Sequence, residues 1–281
     1  MALETIGAAT GTSSGTVVTA DAAANTKGAW VELVASTGIT CNELALYLLK
    51  ISAAANFLID IGTGGAGAET VVLSNLHMSE GGPGRGGSVI ALPITIPSGT
   101  RIAARCQASV GGSTCTLMGI INNNLSYGSP AWTTYGANTG TSRGTQIDPG
   151  ATVDTKGAWV ELTASSIAAK RIALLLGNQA NATDGTSDFL IDIGTGGAGS
   201  EVVQIANIPM KALTTDDNKI PHMHIFPLTI SGGTRIAVRA QSSTSDAADR
   251  LFDVVLLLSD VTEPSGGGGG GPMYLLGGGG F

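Results

Sequence analysis

The residues most able to do chemistry in this chain occur as a set, and the set occurs twice. Gly62, Gly64 and Gly67 follow the apolar run Phe57 to Ile61 in the spacing G-x-G-x-x-G, which lets a backbone approach a pyrophosphate closely. The same spacing returns at Gly194, Gly196 and Gly199. A dinucleotide site needs a helix to begin there, because the free N–H groups of its first turn hold the phosphates. Here the continuation is Glu69 to Leu73 in one copy and Glu201 to Val203 in the other, both β-branched and strand-forming. The spacing therefore predicts a tight turn between two antiparallel strands, with glycine supplying positive φ, and no nucleotide cofactor.

The charged residues repeat as well. Glu32, Asp60, Glu69, Arg101 and Arg105 match Glu161, Asp192, Glu201, Arg235 and Arg239. Carboxylates with arginines beside them could form a glycosidase-like centre. Catalytic sites are rarely needed twice in identical form, so the expectation is a structural network of ion pairs across strands. His222 and His224 alternate on an expected strand and could share a metal, but no third or fourth ligand is near in sequence. They read as surface or subunit-interface residues, as does His77. Cys41, Cys106 and Cys115 all lie in the first copy. An odd number confined to one repeat is not a disulfide framework, and buried free thiols are expected. Cys106 and Cys115 could flank a hairpin around Gly111-Gly112, and sequence leaves their bridging open. No catalytic, cofactor-binding or metal-binding residue is assigned, and no cofactor.

Behind these residues stands a duplication. Phe57 to Gly67 is spelled again at Phe189 to Gly199, Thr26 to Leu33 at Thr155 to Leu162, and Gly99 to Ala103 nearly so at Gly233 to Ala237. Between the words of the first copy lie short apolar stretches: 29–33, 43–51, 57–61, 69–76, 89–96, 101–106 and 114–121. Most alternate with period two; 43–51 is more continuous and would also suit a helix, but its short length inside a β series favours a buried strand, and with turn residues between the stretches the pattern is that of an antiparallel sandwich or jelly roll. Pro93 and Pro97 place one strand at an edge or interrupt it. Trp30 and Trp159 are expected in the cores, being equivalent strand positions. Trp132 and Tyr135 sit in a polar connector, where aromatics dock on their own domain or on a neighbour.

The expected fold class is all-β: two tandem antiparallel β-sandwich (jelly-roll-like) domains from an internal duplication. The boundaries are an extended N-terminal arm at 1–26, whose apolar pair Val17-Val18 leaves room for one strand, sandwich 1 at 27–124, a linker at 125–153, sandwich 2 at 154–261, and a Gly-rich C-terminal tail at 262–281. The tail carries Met273, Tyr274, Leu275, Leu276 and Phe281 among glycines and reads equally as a tethered docking peptide or as a disordered end.

Composition narrows the partners. Charged residues are only 12% and the net charge is −7. The first suits a surface that meets other protein, and the second disfavours nucleic acid, whose binding leans on Lys and Arg. No basic, apolar leader opens the chain and no uncharged apolar run reaches spanning length, so no membrane partner is expected.

The words Thr-Lys-Gly-Ala-Trp-Val-Glu-Leu, Phe-Leu-Ile-Asp-Ile-Gly-Thr-Gly-Gly-Ala-Gly and Gly-Thr-Arg-Ile-Ala-x-Arg, in that order in both copies, resemble virion structural proteins of tailed bacteriophages. The resemblance covers both copies but not the tail, and it carries no named active site. It implies β-sandwich modules on the particle, assembled with rotational symmetry. The expectation is a non-enzymatic virion protein, made in a host cytoplasm, tail-associated as fibre, collar or adaptor. Its expected partners are other virion structural proteins and further copies of itself, a trimer being one such homo-oligomer. The alternatives are a capsid decoration protein and a carbohydrate-binding adhesin that takes a host-surface glycan.

Overall fold

The computed structural model describes residues 2–80, 88–123, 131–178, 187–212, 222–244 and 251–260. The glycine loop at 81–87, the start of the expected linker and the expected tail at 262–281 lie outside the described residues. The first module is built from β1 (Leu3–Ile6), β2 (Ala8–Ala9), β3 (Ser14–Thr19), β4 (Val31–Val34), β5 (Cys41–Ile51), β6 (Ala55–Thr63), β7 (Thr70–Glu80), β8 (Ser88–Ile96), β9 (Ile102–Ala108) and β10 (Thr114–Asn122). The second is built from β11 (Thr133–Tyr135), β12 (Thr145–Ile147), β13 (Val160–Thr163), β14 (Ala169–Asn178), β15 (Ser187–Thr195), β16 (Val202–Ala212), β17 (His222–Ile230), β18 (Ile236–Ser242) and β19 (Phe252–Ser259). The described helical content is one 3-10 turn at Thr10–Thr12, and no described helix is long and apolar enough to cross a membrane.

Each module is a sandwich of two antiparallel sheets. In the first, β3-β10-β5-β8 forms one sheet and β4-β9-β6-β7 the other. The chain passes between them so that neighbours in a sheet are distant in sequence, the double Greek-key order of a jelly roll. In the second module β12-β19-β14-β17 and β13-β18-β15-β16 repeat that order. Alternation decides which side is buried. Leu44, Leu46 and Leu48 of β5 and Phe57, Ile59 and Ile61 of β6 meet in the first core. Ile172, Leu174 and Leu176 of β14 and Phe189, Ile191 and Ile193 of β15 meet in the second. Pro93 and Pro227 lie on β8 and β17, both of which end their sheets, where a missing N–H breaks no ladder.

Two expectations need correction. Residues 3–19, expected as an extended arm, supply β1 and β3, which both pair with β10. Residues 133–147, expected as linker, supply β11 and β12, which both pair with β19. These short edge pieces carry few large apolar residues, so no alternation shows in them. A shared word marks their equivalence instead: Gly7-Ala8-Ala9-Thr10-Gly11-Thr12-Ser13 against Gly136-Ala137-Asn138-Thr139-Gly140-Thr141-Ser142. The backbones agree, with φ of 73° at both Gly7 and Gly136 and of 50° and 55° at Ser13 and Ser142.

The modules are packed on one another. Ala173, Leu175, Val255 and Leu257 point away from the second core and join the first module's apolar cluster. Strands β14 and β19 are thus buried on both faces, which is why they read as nearly unbroken apolar runs.

Candidate functional site

The repeated charged residues come together on the outer face of the sheet formed by β4, β9, β6 and β7. Asp60 alternates with the inward Ile59 and Ile61 and is only 3% exposed. Opposite it, β7 bulges: Ile59 pairs with Leu76 and Ile61 with Leu73, which leaves Asn75 at φ 52°. The bulge turns the Asn75 N–H toward Asp60 Oδ1 at 2.9 Å. Lys27 Nζ donates to the same oxygen at 2.8 Å and to the Leu58 carbonyl at 3.0 Å. Arg105 Nε donates to Oδ2 at 2.9 Å. Burial pushes the Lys27 ammonium below its usual range, against the pull of Asp60 upward.

Arg101 ties the edge of the same sheet to the glycine turn. Its Nε donates to Glu32 at 2.7 Å, and its Nη1 donates to Glu69 at 2.8 Å and to the Gly64 carbonyl at 3.2 Å. Desolvation acts to raise the Glu69 carboxyl, but the Arg101 hydrogen bond and backbone N–H groups outweigh it and hold the group low. The second module copies these contacts. Lys156, Arg239 and the Asn207 N–H converge on Asp192 at 2.7, 3.0 and 3.0 Å. Arg235 reaches Glu161, Glu201 and Gly196 at 2.6, 2.9 and 3.2 Å. Desolvation of Asp192 is likewise outweighed by Lys156, Asn207 and Arg239, and its carboxyl lies below the usual range. Asp60, Asp192, Glu69 and Glu201 are held by cations and backbone donors, which ill suits them to take or give a proton at a substrate, whereas Glu32 and Glu161, about half exposed, each accept from one arginine.

The tryptophans are not in the cores as expected. Trp30 precedes β4 and is half-buried on the outer face. A Cβ at Gly62 would lie 2.7 Å from its Cη2, and a Cβ at Gly194 would lie 2.6 Å from Cη2 of Trp159. The first glycine of each G-x-G-x-x-G word therefore seats an indole. The second and third take positive φ, 114° and 81° at Gly64 and Gly67 and 114° and 79° at Gly196 and Gly199. They close a hairpin in which Thr63 pairs with Thr70. Arg105 and Arg239 stack over Trp30 and Trp159, 4.6 and 4.5 Å from the ring centroids. That ring face is closed to a stacking sugar.

His224 stacks on Phe226, with ring centroids 6.0 Å apart; the side chain of His222 lies outside the described residues. Among the described residues no three His, Cys, Asp or Glu side chains gather where they could hold a metal. The three thiols are free and buried. Burial pushes Cys41 up to about 12, and a bond to Cys106, with burial, pushes Cys115 up, so neither of these two is poised as a thiolate.

The remaining polar cluster lies between the modules. Gln107 Nε2 donates to the Thr139 carbonyl at 2.7 Å and to Ser142 Oγ at 3.0 Å, and Ser142 Oγ donates to Asn25 Oδ1 at 2.9 Å. Trp132 Nε1 donates to the Pro93 carbonyl at 2.7 Å, and Ser74 and Thr134 are bonded through their hydroxyls. Tyr135 stays with its own module, its hydroxyl accepting from the Ile167 N–H at 2.9 Å. His77 is fully buried here, contrary to the expected surface position, with Nε2 3.9 Å from Asp253 Oδ2. Burial, then the charge of Arg143, lowers its pKa to about 4. The loop 138–142 that makes several of these contacts is legible in sequence only through the repeated Gly-Ala-x-Thr-Gly-Thr-Ser word.

No family model matches this chain, and no curated protein does. Among solved structures it is similar to the tandem CBM51 modules of a family 98 glycoside hydrolase from Streptococcus pneumoniae, at 13% identity over 86% of this chain and 83% of that one, with a TM-score of 0.23. It is also similar to the CBM22 tandem domain of Xyn10C from Paenibacillus barcinonensis, at 12% identity over 84% and 83% with a TM-score of 0.24. A third similarity is to the structure of infectious bursal disease virus, Gx strain, at 15% identity over 80% of this chain and 58% of that one, with a TM-score of 0.28.

Proposed function

We propose that this chain is a non-enzymatic structural protein on the exterior of a tailed-phage particle, assembling with itself and with other virion proteins in a tail-associated position. It is made in the host cytoplasm and carried into the virion. The observation that supports this reading is where the shared polar groups go. In both modules the repeated carboxylates, arginines and lysine bond one another and the backbone across strands, and the remaining polar cluster joins module to module. Chemistry duplicated in that form fastens a scaffold. The carbohydrate-binding alternative needs an open aromatic platform; Trp30 and Trp159 carry guanidinium groups, and Trp132 is 7% exposed.

The test is an image of assembled particles with this protein labelled by a bound antibody fragment. Label on the tail is the expected result. Label spread over the capsid would replace the tail position with the decoration alternative, and particles without label would overturn the proposal.

A further inference from the structure

The contact between the modules is one-sided. The second module offers a sheet face, and the first receives it on its outer face and sheet edge. That leaves the first module's copy of the offered face open, and the second module's copy of the receiving face open. We propose that these two open surfaces bind each other between chains, so that a second copy of this chain repeats the intramolecular contact. The proposal rests on the reading that the chain assembles with itself, and it names the surface.

The offered face is the same in both modules. Leu46 pairs with Ile90 and Gly119, and Leu174 with His224 and Leu256. In this register Ala45, Tyr47, Met118 and Ile120 stand where Ala173, Leu175, Val255 and Leu257 stand. The latter four are fully buried against the first module, while the former four are only half-buried. Their strand neighbours Val89 and Ala91 answer to Met223 and Ile225, which also pack on the first module's cluster. Nothing within the described chain covers this apolar face. Leu3, 59% exposed, occupies the position of Trp132, 7% exposed.

The receiving face also recurs. Leu58, Gln107 and Pro93 are buried beneath or beside the second module, and their counterparts Leu190, Gln241 and Pro227 are half-buried or exposed. The polar groups match too. Ser13 answers to Ser142, and Asp154, at φ 55°, answers to Asn25, at φ 60°. Ser13, Asp154 and Gln241 side chains make no hydrogen bond or ion pair among the described residues. Across a chain-to-chain contact the Ser13 hydroxyl would donate to Asp154 as Ser142 donates to Asn25, and Gln241 would reach Ser13 and the Thr10 carbonyl. Where the two surfaces differ, they differ together. His77 meets Asp253 within the chain, whereas their counterparts Pro209 and Thr116 are both neutral, so neither of these two positions would bury a charge alone. A contact of this heterologous kind closes into a ring or continues as a filament.

The experiment is disulfide trapping with the full chain. Chains carrying Ser13→Cys are mixed with chains carrying Asp154→Cys and oxidised; the native thiols are buried and stay silent. A third chain carries Ser142→Cys with Asn25→Cys and reports the template contact by closing within itself. The expected result is a covalent dimer in the mixture that neither chain forms alone, and its loss when Tyr47→Asp is added to the Ser13→Cys chain. No dimer in the mixture, a dimer indifferent to Tyr47→Asp, or a third chain that fails to close would each overturn the proposal. Light scattering then separates two failures. Oligomers without the trap would mean self-assembly through another surface, and monomers at every concentration would remove the self-assembly reading as well.

Discussion

Gly62 is set by what stands on it. A Cβ there would lie 2.7 Å from Trp30 Cη2 and 3.0 Å from Cζ3, so any larger residue must lift the indole off the sheet. The indole carries Arg105, which in turn holds Asp60, and displacement would spread through that set. Gly62→Ala is expected to destabilise the protein by about 1–3 kcal/mol, the usual range for overpacking. Gly65→Ala, where a Cβ meets nothing within 4 Å, is expected to stay within about 0.5 kcal/mol. Urea unfolding of the two variants checks the difference, and equal midpoints would mean that the ring gives way freely. The charged partners at this scale are legible in sequence, because residue types repeated on both copies and on alternating positions suggest pairing across strands. The place of Trp30 is not. A tryptophan in a strand pattern resembles a core residue, and only the facing Gly62, 32 residues further along the chain, reveals that the ring lies outside.

At the scale of elements, β7 differs from its twin β16 because the second module lies over it. His77 and Ser74 of β7 stand where β16 has Pro209 and Ala206, and His77 is fully buried while Pro209 is exposed. Neither His77 nitrogen has a hydrogen-bond partner among the described residues. The facing charges are Asp253, at 3.9 Å, and Arg143; the gap to Asp253 is too long for a hydrogen bond, so burial dominates and the ring is neutral. A lowered folded-state pKa means that the unfolded chain binds the proton first. The contribution of His77 is therefore whole above pH 6.5 and is lost as pH falls toward about 4. That loss amounts to about 3 kcal/mol at most, from the size of the shift. The lowered Asp192, Glu69 and Glu201 carboxyls act on the acid side of this window, keeping their contribution above the ordinary carboxylate range and losing it as pH falls further. His77→Leu should flatten the stability profile between pH 6.5 and 4.5, measured by denaturant midpoints at each pH; an unchanged slope would assign it to other groups. Strand 57–61 is legible as β6 because its apolar residues alternate before a turn, whereas 43–51, a nearly unbroken apolar run that would also suit a helix, is legible as β5 only from its short length inside a β series. The pieces β1, β3, β11 and β12 are not, since edge pairing with β10 and β19 asks for backbone rather than for large side chains.

For the whole molecule the decisive fact is that Leu175 and Leu257 belong to a second module yet pack in the first module's cluster. The duplication is plain in sequence, but the docking is not, because Tyr47 and Leu175, or Ile120 and Leu257, are equally apolar whether covered or open. Only the polar differences between copies, such as His77 against Pro209, distinguish the used surface from the open one. Docking of this extent ties the unfolding of the modules together, so the intact chain should melt in one calorimetric transition. Leu175→Asp would bury a lone carboxylate between the modules without touching the Leu174 and Leu176 side of β14, which faces the second core. Such a charge costs several kcal/mol if it stays buried, more than a contact between two independently cored sandwiches is built to withstand, so the modules should part instead. The expected result is two resolved transitions in place of one, with strand content kept. The matching change Tyr47→Asp falls on the open counterpart and should leave the single transition of the monomer where it is. If Leu175→Asp left one transition, the modules would be held by the polar cluster around Gln107 and Ser142 more than by the apolar face. If Tyr47→Asp split the transition as well, the face would be serving the first module's own stability and could not be held open for a second copy.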